Sequence, residues 1–84
     1  MKKYYVYILQ SLSDGSFYTG YTIDLERRLT EHNSGKSLYT SRKIPWQLVY
    51  TEEFISKTEA LKREKFLKSQ RNWLFYEQLI LGKK

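Results

Sequence analysis

The sequence predicts a small α+β domain: a three-stranded antiparallel β-sheet flanked by three helices, in the order ββαβαα. Two stretches rich in β-branched and aromatic residues, KYYVYIL at residues 3–9 and FYTGYT at Phe17–Thr22, flank an Asp-Gly pair, the pattern of an antiparallel hairpin. A third such stretch, WQLVYTEEF at Trp46–Phe54, follows after a loop. The remaining segments are bracketed by capping residues and glycines and read as helices that cover the sheet. At 84 residues the chain supports one modest core, and it reads as a single domain over residues 1–84.

In the first strand, pleating sets Tyr5, Tyr7 and Leu9 on one face and Val6 and Ile8 on the other. SLSDGS, residues 11–16, is the turn, with Asp14 and Gly15 supplying its positive-φ positions. Phe17–Thr22 then returns as the antiparallel partner. Asp24 is an N-cap and Gly35 a terminator, and between them they bracket the first helix. A loop runs through Lys43, and Ile44-Pro45 leads into the third strand, which is free to pair beside the first. Ser56 and Glu59 have capping-box spacing and open a second helix that reaches about Ser69. Residues 73–81 make a third helix, closed by Gly82.

Composition narrows the chemistry. The sequence contains no cysteine and one histidine, which excludes disulfides, thiolate metal sites and His-rich zinc sites. No apolar run approaches the length of a bilayer, and no basic leader precedes an apolar block, so the expectation is a cytoplasmic protein without a membrane partner. Lys and Arg number 15 against 9 Asp and Glu, a net charge of +6 that favours polyanions, nucleic acid first. Eight tyrosines among 17% aromatics add rings on which bases can stack.

Several polar residues stand where apolar ones are expected. Leu25 and Leu29 define the inward stripe of the first helix, and Arg28 and His32 share a column bordering it, while Arg27 and Glu31 point more outward. In the second helix Glu64 lies among Ala60, Leu61 and Leu67, and a carboxylate there requires compensation by a cation such as Arg28 or by a divalent metal. Tyr7 and Tyr18 lie on adjoining strands near one turn. They either pack against each other or face a cleft shared with Arg28, His32 and Glu64. Gly20, without a side chain, lets a backbone or phosphate approach closely.

At these residues the chain resembles the GIY-YIG nuclease superfamily. Tyr5-Val6-Tyr7 stands in the place of Gly-Ile-Tyr, and Tyr18-Thr19-Gly20 in that of Tyr-Ile-Gly. Arg28 follows ten residues after Tyr18, His32 four beyond it, and Glu64 occupies the place of the family's metal-ligating carboxylate. The run YTGYTIDLERRLTEHN resembles most the short stand-alone bacterial subgroup, which is related to the incision domain of the excision-repair nuclease subunit. Tyr21 stands where some members carry a lysine.

The resemblance implies a metal-dependent endonuclease hydrolysing phosphodiester bonds in DNA, with DNA repair or processing as its setting. Tyr7, Tyr18, Arg28, His32 and Glu64 would be catalytic. Glu64 would hold one Mg²⁺ or Mn²⁺, Arg28 would serve the phosphate, Tyr7 would act as base, Tyr18 would position water or phosphate, and His32 would take the proton or anchor a tyrosine hydroxyl. Gly20, Tyr21, Arg27, Lys36, Arg42, Lys43 and Arg63 are candidate nucleic-acid contacts. DNA is favoured over RNA, cleavage of low sequence specificity is expected, and a protein partner is one source of any specificity. The chain would act as a monomer or weak homodimer. The alternatives are a non-catalytic nucleic-acid-binding module of the same fold and a protein-interaction module with a basic docking face.

Overall fold

The computed structural model describes residues 2–36 and 39–82. Three strands, β1 (Tyr4–Ser11), β2 (Phe17–Thr22) and β3 (Trp46–Phe54), form one antiparallel sheet in the order β2-β1-β3. The helices are α1 (Leu25–Asn33), α2 (Lys57–Ser69) and α3 (Trp73–Ile80), and a 3₁₀ turn at Ser41–Lys43 precedes β3. The predicted α+β class and element order are observed. The basic pair at 83–84 lies outside the described residues.

Local chemistry places the boundaries. The hairpin turns at Gly15, whose φ of 78° is a conformation that glycine adopts without steric cost. The Asp24 carboxylate accepts from the Arg27 N–H, Ser56 Oγ from Glu59 N–H, and Asn72 Oδ1 from the Leu74 and Phe75 N–H groups, so each helix begins on a side-chain cap. β1 runs two residues further than expected, because Gln10 and Ser11 pair with Gln47 and Trp46 of β3. None of the described helices is long and apolar enough to cross a membrane.

The central strand divides the molecule into two layers. Val6 and Ile8 face α2 and α3, where they form a buried cluster with Ala60 and Leu67, enclosed by Phe75, Tyr76 and Leu79. Tyr7 and Leu9 face the other way and pack with Trp46, Leu25 and Leu29 on the α1 side. Leu61 departs from the expected inward stripe of α2. It is 40% exposed, and the stripe consists of Ala60 and Leu67 with Glu64 between them.

Candidate active site

Strand pairing builds the first part of the site. Tyr7 lies opposite Gly20 across the β1–β2 ladder, and its ring lies over that glycine. A Cβ at position 20 would collide with the Tyr7 phenol, so Gly20 makes room for the tyrosine itself rather than for an incoming backbone or phosphate. Because β2 is the edge strand, this also carries the Tyr7 hydroxyl toward the sheet edge. Tyr18, two residues before Gly20, projects on the same face, with its ring 6.4 Å from that of Tyr7.

Helix α1 closes over these phenols. Its most buried residue is His32, only 1% exposed, while Leu25 and Leu29 are half-buried. His32 Nε2 lies 3.0 Å from the Tyr7 hydroxyl, and Nδ1 lies 3.0 Å from Oγ1 of the fully buried Thr40. Arg28 Nε donates to the Tyr7 oxygen over a longer 3.4 Å, and its Nη1 donates to Glu31 at 3.0 Å. Glu31 therefore does not point away, as its helical position implied, but holds the guanidinium in place.

Arginine only donates, so the Tyr7 oxygen accepts from Arg28. Hydroxyls both donate and accept, so the Tyr7–His32–Thr40 chain is completed by either tautomer of the imidazole. Burial pushes the Tyr7 phenol up to about 12, against the opposing pull of the Arg28 hydrogen bond. Burial, reinforced by the Arg28 charge, holds His32 below its ordinary value, so the imidazole is neutral at pH 7. The hydrogen bond to Tyr7, followed by that to Glu31, raises Arg28 above the usual guanidinium value.

Glu64 reaches this group from α2. Its side chain is 19% exposed, and its charge acts on the Tyr7 phenol. The cation that compensates it is Lys68, one turn on, with Nζ 3.1 Å from Oε2, and not Arg28. The fold thus brings Tyr7, Tyr18, Arg28 and His32 into contact, while Glu64 is linked to them through its charge on the Tyr7 phenol. Tyr18 packs edge-on to His32 at 4.8 Å between ring centres, and its hydroxyl makes no hydrogen bond among the described residues.

The further candidates scatter. Tyr21 pairs with Val6 on the opposite face and stacks on Tyr4, with centroids 6.2 Å apart. Arg63 is held bidentately by Glu52 at 2.8 and 2.9 Å and lies over the Phe66 ring. Lys43 pairs with Asp14 at 3.2 Å. Arg27 and Lys36 border a shallow surface hollow shared with Asp24, Glu26 and Glu31, and Arg42 is exposed outside it. Sequence reasoning did not single out Thr40 or the pairing role of Lys68. The i, i+4 spacing of Glu64 and Lys68 was a usable signal, whereas Thr40 in an irregular loop carried none.

The hairpin carries two phenols, α1 supplies an arginine and a buried histidine, and α2 supplies one carboxylate. The chain belongs to the GIY-YIG catalytic domain family, which it matches over residues 3–75. Among individual proteins it is similar to a UPF0213 protein of Staphylococcus saprophyticus, 50% identical over 70 residues that span 82% of this chain and 84% of that one. A UPF0213 protein of Halobacterium salinarum is 48% identical over 62 residues, 73% of this chain and 79% of the relative. The solution NMR structure of a UPF0213 protein from Bacillus halodurans has a TM-score of 0.61 and 45% identity, covering 96% of this chain and 85% of that chain.

Proposed function

We propose that the chain is a metal-dependent endonuclease that hydrolyses phosphodiester bonds in DNA with low sequence specificity, in one domain whose catalytic residues are Tyr7, Tyr18, Arg28, His32 and Glu64. The observation that carries this reading is the Tyr7 hydroxyl, bonded to His32 Nε2 at 3.0 Å and to Arg28 Nε at 3.4 Å, with the Glu64 charge bearing on it.

Attack on phosphorus requires water to lose a proton. Tyr7 accepts that proton while its own hydroxyl proton passes to His32 Nε2. One water O–H bond breaks as a Tyr7 O–H forms, and the old Tyr7 O–H breaks as a His32 N–H forms. No free phenolate arises, so a phenol pushed up to about 12 is no obstacle. His32, kept neutral, receives the proton at Nε2 in the tautomer that donates Nδ1–H to Thr40. The free hydroxyl of Tyr18 positions water or phosphate. Arg28 Nη2, which the bonds to Tyr7 and Glu31 leave uncommitted, serves a non-bridging phosphate oxygen.

The residues fit one Mg²⁺ or Mn²⁺ held through Glu64. Among the described residues no three His, Asp or Glu side chains converge, so water and phosphate oxygens would complete the coordination shell. A half-buried carboxylate balanced only by the half-exposed Lys68 is suited to exchange that partner for a divalent ion. An ion held by Glu64 would supply charge relief on the phosphate and the leaving oxygen. Action in DNA repair or processing in the cytoplasm, as a monomer or weak homodimer with a partner supplying specificity, belongs to the same proposal.

The test is incubation of the purified chain with single-stranded, nicked, branched and duplex DNA, and with RNA, in Mg²⁺, Mn²⁺ or EDTA. Cleavage of DNA in metal is expected, with none in EDTA. DNA binding that is equal with and without chelator, accompanied by no cleavage in either metal, would instead identify a binding module.

A further inference from the structure

The outer edge of β2 carries a cavity that shares Tyr18 with the catalytic set and is otherwise lined by residues outside it. It has a volume of about 250 Å³ and is lined by Phe17, Tyr18 and Thr19 of β2, Tyr39 of the preceding loop to β3, Lys68 of α2 and Tyr76 of α3. Four of its six lining side chains are aromatic rings and one is an ammonium. The floor is rigid: the Tyr76 hydroxyl donates to the Leu67 carbonyl and accepts from Thr19 Oγ1 at 3.3 Å, and the Tyr76 ring packs on Phe17 at 5.3 Å. Tyr39 forms the opposite wall, 65% exposed, with its ring 5.9 Å from that of Tyr18.

The lining selects its ligand. The four rings favour a flat, π-rich group, and the Lys68 ammonium, paired with Glu64, supplies hydrogen-bond donors beside it. The volume lies below the roughly 300–1,000 Å³ of pockets for larger ligands, which suits one small ring system. β2 is an edge strand, so alternate backbone N–H and C=O groups point away from the sheet and can meet the polar rim of such a ring. The cavity also adjoins the site. Tyr18 lines it, and the Lys68 ammonium that lines it lies 3.1 Å from Glu64.

We propose that this cavity binds one unpaired nucleobase of the DNA strand being cut, beside the scissile phosphate, so that single-stranded or frayed DNA is used in preference to intact duplex. The identity of the strand rests on the nuclease reading above. A base within a duplex is stacked and paired, and must be extruded before it can enter a cavity of this kind.

The probe is a set of single-stranded DNA oligonucleotides with 2-aminopurine placed at successive positions, and matched strands with an abasic site instead. Binding to the full chain is read in EDTA by 2-aminopurine fluorescence and by anisotropy of a terminal dye. Quenching on binding is expected wherever the reporter base can enter the cavity, with affinity roughly tenfold weaker for Tyr39→Ala, as the loss of one base–aromatic stack implies. Abasic strands and duplex should not register the substitution. Tyr39 is exposed, and a thermal melt confirms that the variant folds. Absence of quenching, or an equal Tyr39→Ala loss on abasic strands, overturns the proposal. Cleavage is scored separately. A wild-type chain that quenches through Tyr39 yet never cuts DNA in metal removes the nuclease reading and leaves the cavity standing.

Discussion

The two faces of the sheet are built on opposite principles. On the α2/α3 side, Val6, Ile8, Ala60 and Leu67 are fully buried and apolar. On the α1 side, the buried set includes the Tyr7 hydroxyl, His32 and Thr40, joined in a hydrogen-bonded chain. Burial of apolar area stabilises the first face without geometric demands. The second gains little from burying polar atoms and requires each of them to keep its partner. No buried side-chain nitrogen or oxygen among the described residues lacks one. The first face is wholly apolar at its centre, whereas the second combines the apolar Leu9 and Trp46 with a hydrogen-bonded polar chain. Glu64 belongs to the first face by its helix and to the second by its charge.

Substitutions on the two faces should separate these roles. Glu64→Ala has the largest expected effect, loss of metal-dependent cleavage by at least about 10³-fold with DNA binding and the melting curve retained. Full cleavage by this variant would remove Glu64 as metal donor and collapse the link between the faces. Arg28→Ala should lower turnover by about 10²–10³-fold with little change in Tm, as the loss of a preorganised phosphate donor does. Unchanged turnover would take Arg28 out of the chemistry.

Leu67→Ala tests the apolar face. A cost of about 2–5 kcal/mol in urea unfolding is expected, with kcat preserved in whatever fraction remains folded. A smaller loss than that of a polar-face variant such as Thr40→Val would reverse the division of labour. Gly20→Ala should cost about 1–3 kcal/mol, because the added methyl meets the Tyr7 phenol and something must shift. Its NMR signature would be loss of the Tyr7–His32 contact, and an unperturbed His32 ring would contradict the close approach.

The smallest effect is a pH dependence. His32 is depressed in the folded chain, so between its folded value and the ordinary 6.5 the unfolded chain binds more protons. The stability contributed by neutral His32 is fully present above pH 6.5 and is lost as pH falls below it. Urea midpoints measured from pH 8 to pH 5 should show this decline, and His32→Gln should flatten it. An identical slope in both proteins would mean that His32 is not held neutral by its surroundings.

Much of the site was legible because its parts obey short periods. Strand alternation placed Tyr7 and Leu9 apart from Val6 and Ile8, and spacing of four put Arg28 and His32 on one side of α1. The misplacements have one origin. Leu61 was assigned to the inward stripe of α2, Glu31 to the outside of α1, and Gly20 to substrate access. In each case the neighbour that decided the matter came from the tertiary packing or from the rotamer chosen within it.

By itself the sequence determined the elements, their caps and the faces of each strand, since these follow from backbone sterics and from residues within a few positions of one another. Only the tertiary structure decided that Thr40 meets His32 Nδ1 and that Tyr39 and Tyr76 wall a cavity beside Tyr18. Those pairs join different elements or depend on which side of the sheet a helix takes, and that choice is made by the whole core at once.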